Sequence, residues 1–230
     1  MVLTGAGVST ESGIPDFRSA GGIWADVDPI EVASIDAFRR DPLRVWRWYG
    51  QRIAGLLAAE PNAGHLGLVA LERAGRVRAV VTQNIDLLHT RAGSRDVVEV
   101  HGSIARFPCL ACGAEESLDD VLVQLETREA PVCTGCGTIV KPGVVMFGEL
   151  LPVDAMARAE RLAGEASLLV VVGSSLQVWP VAGLPGDTVR AGGALAIVNL
   201  EETPYDGDAA VVVRGPSGPA LAEVARMLDA

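Results

Sequence analysis

The four cysteines constrain this chain most. They fall as Cys109-x-x-Cys112 and Cys133-x-x-Cys136, with twenty residues between the pairs. Two such knuckles bring four thiolates to one tetrahedral centre, and four cysteines with no His or water position make a closed, structural zinc site rather than a catalytic one. Each knuckle runs into a glycine, Gly113 or Gly137, which lets the backbone turn back around the metal. Two disulfides or four buried thiols are the competing readings. Nothing at the start of the chain has the charged and apolar regions of a secretion signal, so a cytoplasmic location is expected.

The 230 residues are 49% apolar and only 4% aromatic, so the core must be built from Val, Leu, Ile and Ala. A net charge of −10 argues against bulk electrostatic binding to nucleic acid or to an anionic membrane. Lys141 is the single lysine. The apolar run Leu168–Val172 is far short of the ~20 residues of a membrane helix. A protein with no nucleic-acid or membrane partner is expected, and a monomer.

Short aliphatic runs at Met1–Thr4, Val77–Thr82, Val97–Val100, Ser167–Val172, Ala194–Val198 and Ala209–Val213 read as buried parallel strands. Amphipathic stretches at Ala63–Ala74, Ile85–Ala92, Val153–Gly164 and Pro219–Leu228 read as helices between them. Asn62 is the expected cap of the first, and Gly75 and Gly93 are the expected stops. This alternation predicts an α/β fold with a doubly wound parallel sheet. Residues 20–60 and 104–141 break it. The first offers helices at Ile35–Arg40 and from Pro42 to about Ala59; the second carries the cysteines. Both read as insertions that together build a small zinc-binding and helical lobe, leaving 1–19, 61–103 and 142–230 for the large domain. Pro185 and Gly186 weaken any helix over 182–193.

Thr4-Gly5-Ala6-Gly7-Val8-Ser9 follows the first strand. Glycines at such a turn let backbone N–H groups approach a phosphate. Thr10 stands where a dinucleotide fingerprint has its third glycine, so the motif alone is weak. It continues into Ile14-Pro15-Asp16-Phe17-Arg18. Further polar groups fall at strand ends: Thr82-Gln83-Asn84-Ile85-Asp86, Val100-His101-Gly102, Gly173-Ser174-Ser175 and Asn199-Leu200-Glu201. Lys141 to Glu149 includes Val145-Met146-Phe147-Gly148.

With these motifs in this order, plus the zinc knuckles, nearly the whole chain resembles the sirtuins, the NAD-dependent protein lysine deacylases. The resemblance implies a Rossmann-type NAD-binding domain and a small zinc lobe, with NAD and an acyl-lysine peptide meeting in the cleft between them. It implies that Gly5, Ala6, Gly7 and Ser9 cradle the NAD phosphates. Asp16, Phe17, Arg18 and Trp24 belong to the loop that closes over the cofactor. Gln83, Asn84, Ile85 and Asp86 would form the nicotinamide and ribose pocket. Gly173, Ser174 and Ser175 would meet phosphate and ribose, Asn199, Leu200 and Glu201 the adenosine ribose, and Ser217 the adenine side. Val145, Phe147, Gly148 and Val178 would flank the peptide, whose extended backbone could pair as an added strand. His101 would be the general base, with nicotinamide and 2′-O-acyl-ADP-ribose as products. The family's Gly-Thr-Ser is Gly-Ser-Ser here, which keeps the hydroxyl. His65 is expected at the surface and His89 packed beside the nicotinamide loop.

Tyr49 and Arg52 lie at i and i+3, on one helix face. A phenol beside a guanidinium fork can hold a carboxylate. The pair resembles the signature of class III sirtuins, which remove succinyl, malonyl or glutaryl groups, and Ala33 matches the small residue that widens the acyl pocket there. A core tyrosine beside a solvated arginine is the plainer alternative, and a true match does not exclude deacetylation. An NAD dehydrogenase with a zinc lobe, or a zinc module on an inert scaffold, leaves Gln83–Asp86 and His101 without a role. Mono-ADP-ribosyl transfer stays as a side activity.

Overall fold

The computed structural model describes residues 1–19 and 21–228; Ala20, the first residue of the expected helical insertion, and Asp229 and Ala230 lie outside it. A six-stranded sheet runs β3-β2-β1-β6-β7-β8, built from β1 (Val2–Thr4), β2 (Val80–Thr82), β3 (Val97–Glu99), β6 (Leu168–Val172), β7 (Ala194–Val198) and β8 (Val211–Val213). Every neighbouring pair is parallel. The inner strands of a parallel sheet are covered on both faces and so read as continuous apolar runs, which is why their positions were visible in the sequence; β8, expected to be buried as well, is an edge strand, and Val211, Val212 and Val213 are all exposed.

Side chains alternate across the sheet. Leu3, Val81, Val98, Val171 and Ile197 meet α7 (Val153–Glu165) and α8 (Leu184–Arg190) on one face. Val2, Val80 and Val172 meet α4 (Ala63–Arg73) and α9 (Ser217–Met227) on the other. Asn62 caps α4 in a reciprocal box with His65, and the chain leaves α4 through left-handed Gly75. Pro185 does not abolish α8: it sits in the first turn, where a missing N–H costs nothing.

A separate core gathers α2 (Ile35–Arg40), α3 (Pro42–Ala58) and the cysteine segment. Trp46 is its centre, fully buried, with Nε1 donating to the Val140 carbonyl at 2.7 Å. Cys109 and Cys133 belong to this same core. The cysteine segment also forms a hairpin of β4 (Arg106–Pro108) and β5 (Glu115–Ser117) and a helix α6 (Leu118–Leu125), and α1 (Pro29–Val32) precedes α2. Of these elements only α6 has a helical period, with Leu118, Val121, Leu122 and Leu125 turned to the same core. The hairpin strands are three residues long, and Ser117 starts α6 by capping with its hydroxyl.

The expected helix from Ile85 starts later, as α5 (Leu88–Ala92). The Asp86 carboxylate takes the Leu88 amide at 2.9 Å and Leu87 adopts φ +64°. That geometry ends any helix on its N-terminal side and leaves 85–87 as loop. No described helix is long and apolar enough to cross a membrane.

Candidate active site

The register sets the site. Thr4 pairs level with Thr82 and with Val172, Thr82 with Glu99, and Val172 with Val198. The loops after β1, β2, β3, β6 and β7 therefore emerge together at the carboxyl edge. Strand order reverses between β1 and β6, and open α/β sheets bind ligands at such a switch point.

At that point two glycine loops touch backbone to backbone. Gly7 donates to the Gly173 carbonyl at 2.8 Å. A Cβ on Gly7 would lie 2.7 Å from the Gly173 Cα, and one on Gly173, at φ +59°, would lie 2.3 Å from the Val8 nitrogen. No side chain fits at either position, so the two turns can pack backbone to backbone only as glycines. Around it runs a buried polar network. Ser9 donates to Asp86 Oδ2 at 2.6 Å, and Asn84 Nδ2 reaches the Gly5 carbonyl and Ser9 Oγ, both at 3.1 Å. Gln83 Nε2 donates to Ser174 Oγ at 2.9 Å. Ser175 follows it, half-buried, and Ile85 is half-buried beside Asn84.

His101, half-buried, stands at the end of β3. Its Nδ1 lies 3.2 Å from the Gln83 carbonyl. A carbonyl only accepts, so Nδ1 carries the proton and Nε2 is the bare, basic nitrogen. Burial pushes this imidazole below its usual range, with the Gln83 bond acting against it. The His101 carbonyl accepts from Val145 N at 2.8 Å, which brings the 145–149 segment alongside. There Phe147 N donates to the Ala33 carbonyl at 2.9 Å, so Phe147 and buried Ala33 are tied together. Phe147 and Gly148 are exposed and Val178 is half-buried.

Asn199 is buried and donates to the Glu201 carbonyl at 2.9 Å, while Leu200 and Glu201 are exposed. Ser217 is buried at the start of α9, its hydroxyl 3.3 Å from Glu11 Oε1. Asp16 Oδ1 accepts from Arg18 N and Ser19 N. Phe17 stacks on Trp24 with ring centroids 5.4 Å apart. On α3, Tyr49 and Arg52 are half-buried. Burial first, and then the Glu149 charge, push the Tyr49 phenol up, with Arg52 acting against them.

Three supporting residues had no site role in the sequence reading. Glu11 accepts from Gly218 N at 2.7 Å and ties the glycine loop to α9. Asn62, expected only as a cap, also donates to the Val8 carbonyl at 2.8 Å. Lys141 is buried, bonds the Val144 carbonyl and pairs with Glu149 Oε2 at 3.0 Å, and Glu149 takes the Met146 amide at 2.8 Å, bracing the turn. The clue in the sequence was that the one lysine opens the Lys141–Glu149 motif. A cavity of about 360 Å³, lined by Glu99, Ser103, Lys141, Val145 and Glu149 among others, lies behind this turn. His65 is not at the surface as expected. It is fully buried because its Nδ1 closes the α4 cap, and it packs on His89 at 4.8 Å between centroids.

The four cysteine Sγ atoms lie within 4.8 Å of one another. Cys109 and Cys136 approach to 3.5 Å, as do Cys112 and Cys133. Each pair crosses between knuckles, so the four sulfurs surround one point. Gly113 and Gly137 both take positive φ, and their amides return to the Cys109 and Cys133 carbonyls. This donor set fits a structural zinc ion.

The chain matches the Sir2 family over residues 5–180. It is 47% identical to an NAD-dependent protein deacetylase of Thermotoga maritima, over 90% of this chain and 83% of that one. It is 41% identical to NAD-dependent protein deacylase 1 of Archaeoglobus fulgidus, over 98% of this chain and 91% of the other. A solved complex of Sir2 with a p53 peptide and NAD+ superposes with TM-score 0.87 at 44% identity, over 99% of this chain and 90% of that one. A Sir2 enzyme bound to a propionylated peptide gives 0.86 at 43% identity, over 99% and 90%. With the switch-point glycine loops, the strand-end polar groups and the four-cysteine centre all in place, the chain belongs to the Sir2 family.

Proposed function

We propose that the protein is an NAD-dependent protein-lysine deacylase that takes succinyl and malonyl groups as well as acetyl. Residues 1–19, 61–103 and 142–230 form the NAD-binding domain; 20–60 and 104–141 form the helical and zinc-binding parts of the small lobe. The observation that carries the reading is the meeting of both glycine loops, Gln83–Asp86 and His101 at one sheet edge. NAD, the co-substrate, supplies a ribose carbon from which nicotinamide can leave. The Gly5–Gly7 and Gly173 backbones would hold the diphosphate, with Ser174 and Ser175 beside it. Gln83, Asn84, Ile85 and Asp86 would orient the nicotinamide ribose, and Asn199 to Glu201 and Ser217 the adenosine end. The Asp16 to Trp24 segment would exclude water. His101 would be the general base: its bare Nε2 would take a proton from the ribose hydroxyl that captures the acyl carbon, and one water admitted after nicotinamide has left would be consumed as 2′-O-acyl-ADP-ribose and free lysine form. The peptide would lie between Val145–Gly148 and Val178. The relatives' complexes with protein peptides support that class of partner. A monomer acting in the cytoplasm is part of the same reading.

Tyr49 and Arg52 select acidic acyl groups, with Ala33 leaving room. In a chain of net charge −10 an acidic group gains nothing from the overall field and needs a local cation. The test is mass spectrometry of acetyl-, succinyl- and malonyl-lysine peptides with and without NAD. Acyl loss should require NAD and release one nicotinamide per lysine. Because a hydrogen bond to a charged group contributes about 1.5–3 kcal/mol, Arg52→Met should lower kcat/KM for succinyl-lysine about 10- to 100-fold. Acetyl-lysine, with no carboxylate, should change only a few-fold. An unchanged ratio would leave a deacetylase without acid selection.

A further inference from the structure

One turn of α3 joins the acyl-selecting pair to the loop carrying Phe17 and Trp24. The Arg52 guanidinium carbon sits 3.9 Å from the centroid of the Trp48 ring, and Arg52 Nη1 donates to the Trp48 carbonyl at 2.9 Å. The same indole is stacked by Trp24, with centroids 5.4 Å apart and planes within 10°. Trp24 in turn carries Phe17. Tyr49 meets the Trp48 ring edge-on at 4.7 Å. One side chain therefore touches both residues of the Tyr-x-x-Arg pair and the loop on the cofactor side.

A guanidinium stacked on an aromatic ring engages it through its face, and the edge N–H groups remain free for a planar acceptor. In Arg52 one edge N–H is held by the Trp48 carbonyl, which leaves others for a carboxylate. An unstacked arginine must lose its rotamer freedom on binding; one already stacked has lost it beforehand. The Trp48 ring is itself steadied by Trp24. Order in the loop thus passes to Trp48 and from there to the fork.

We propose that Trp48 is a positioning residue that holds the Arg52 fork for acidic acyl groups when the Phe17–Trp24 loop is stacked on it, so that cofactor binding and acidic-acyl recognition reinforce each other. This rests on the reading that Tyr49 and Arg52 select acidic acyl groups. The coupling is reciprocal: a succinyl-lysine peptide must tighten the cofactor by the factor that the cofactor tightens the peptide.

The experiment uses the full zinc-loaded chain and ADP-ribose, which is not turned over, as the cofactor probe. Dissociation constants of succinyl- and acetyl-lysine peptides are measured with and without it, and kcat/KM for both peptides with NAD. In the wild type, ADP-ribose should tighten the succinyl peptide about three- to ten-fold more than the acetyl peptide, the size of one well-placed cation–π contact. Trp48→Leu should remove that excess and lower the succinyl-to-acetyl ratio of kcat/KM by about the same factor, through KM for the succinyl peptide. Trp48→Phe, which keeps a ring, should restore most of it. Equal tightening of both peptides in the wild type overturns the proposal, and so does a Trp48→Leu protein with full zinc and an unchanged ratio. Arg52→Met separates the two readings. If it collapses the ratio while Trp48→Leu does not, only the role of Trp48 falls. If neither changes it, the acid-selection reading falls too.

Discussion

At the residue scale, the placement of His101 fits it for the proposed role of base. The Gln83 carbonyl occupies Nδ1 and so leaves Nε2 basic, while burial keeps the ring neutral to a lower pH than in water. His101→Ala should leave NAD binding nearly intact and cut deacylation by about 10²–10⁴-fold, the usual worth of positioned proton transfer. Calorimetric NAD titration beside single-turnover kinetics checks both halves. Turnover near the wild-type rate would reassign the base. In the wild type the acid limb of the rate profile should fall below the usual histidine range, because the base fails only when pH drops through its lowered pKa.

At the scale of elements, the cysteine knuckles and α3 stand or fall together. Cys109 and Cys133 pack in one core with Trp46, Phe107 and Val140. Structural zinc contributes on the order of 10 kcal/mol to folding, as much as a whole domain's net stability. Cys109→Ser should therefore release the metal and melt α2 and α3 along with the β4-β5 hairpin. The near-ultraviolet dichroism of Trp46 should vanish while most of the sheet's far-ultraviolet signal stays. Stoichiometric zinc in the purified wild type, and its loss in the variant, is the direct reading. Retention of the Trp46 signal without metal would show that the helical core stands alone.

At the scale of the whole molecule, two buried imidazoles link stability to pH. His65 and His89 are 0% and 2% exposed and lie beneath the switch point, where His89 Nε2 meets Thr4 Oγ1 at 2.9 Å. Burial pushes both down, His89 to about 3 with help from the neighbouring His65, while Asp86 and Glu11 act the other way on His65. In the unfolded chain each takes a proton near ~6.5. Their contribution is thus fully present above that pH and is lost as pH falls from there toward the folded values. The slope is up to about 1.4 kcal/mol per pH unit for each histidine. Urea unfolding between neutral pH and mild acid should show stability falling steeply, and His89→Gln, which keeps a partner for Thr4, should flatten the fall. An equal slope in the variant would place the acid sensitivity elsewhere.

The strands, their parallel pairing, the cysteine cluster and the polar groups at the strand ends could all be read from the chain. Each rests on local chemistry: apolar runs buried on both faces, glycines where no side chain fits, thiols at fixed spacing. The breaks at 20–60 and 104–141 were legible as interruptions, but the hairpin, α6 and α1 inside them were not. The hairpin strands and α1 are too short for periodicity, the period of α6 covers only two turns, and the lobe is organised by the four-cysteine centre and by Trp46, which reaches Val140 across more than ninety residues of sequence. The burial of His65, the pairing of Lys141 with Glu149 and the bridge from Glu11 to α9 were equally invisible. Each is a polar side chain whose partner the fold supplies from elsewhere. The stack of Phe17, Trp24, Trp48 and Arg52 belongs with them. Helix spacing placed Arg52 beside Tyr49, but only the tertiary fold, by bringing a distant loop over α3, decided what holds the guanidinium still.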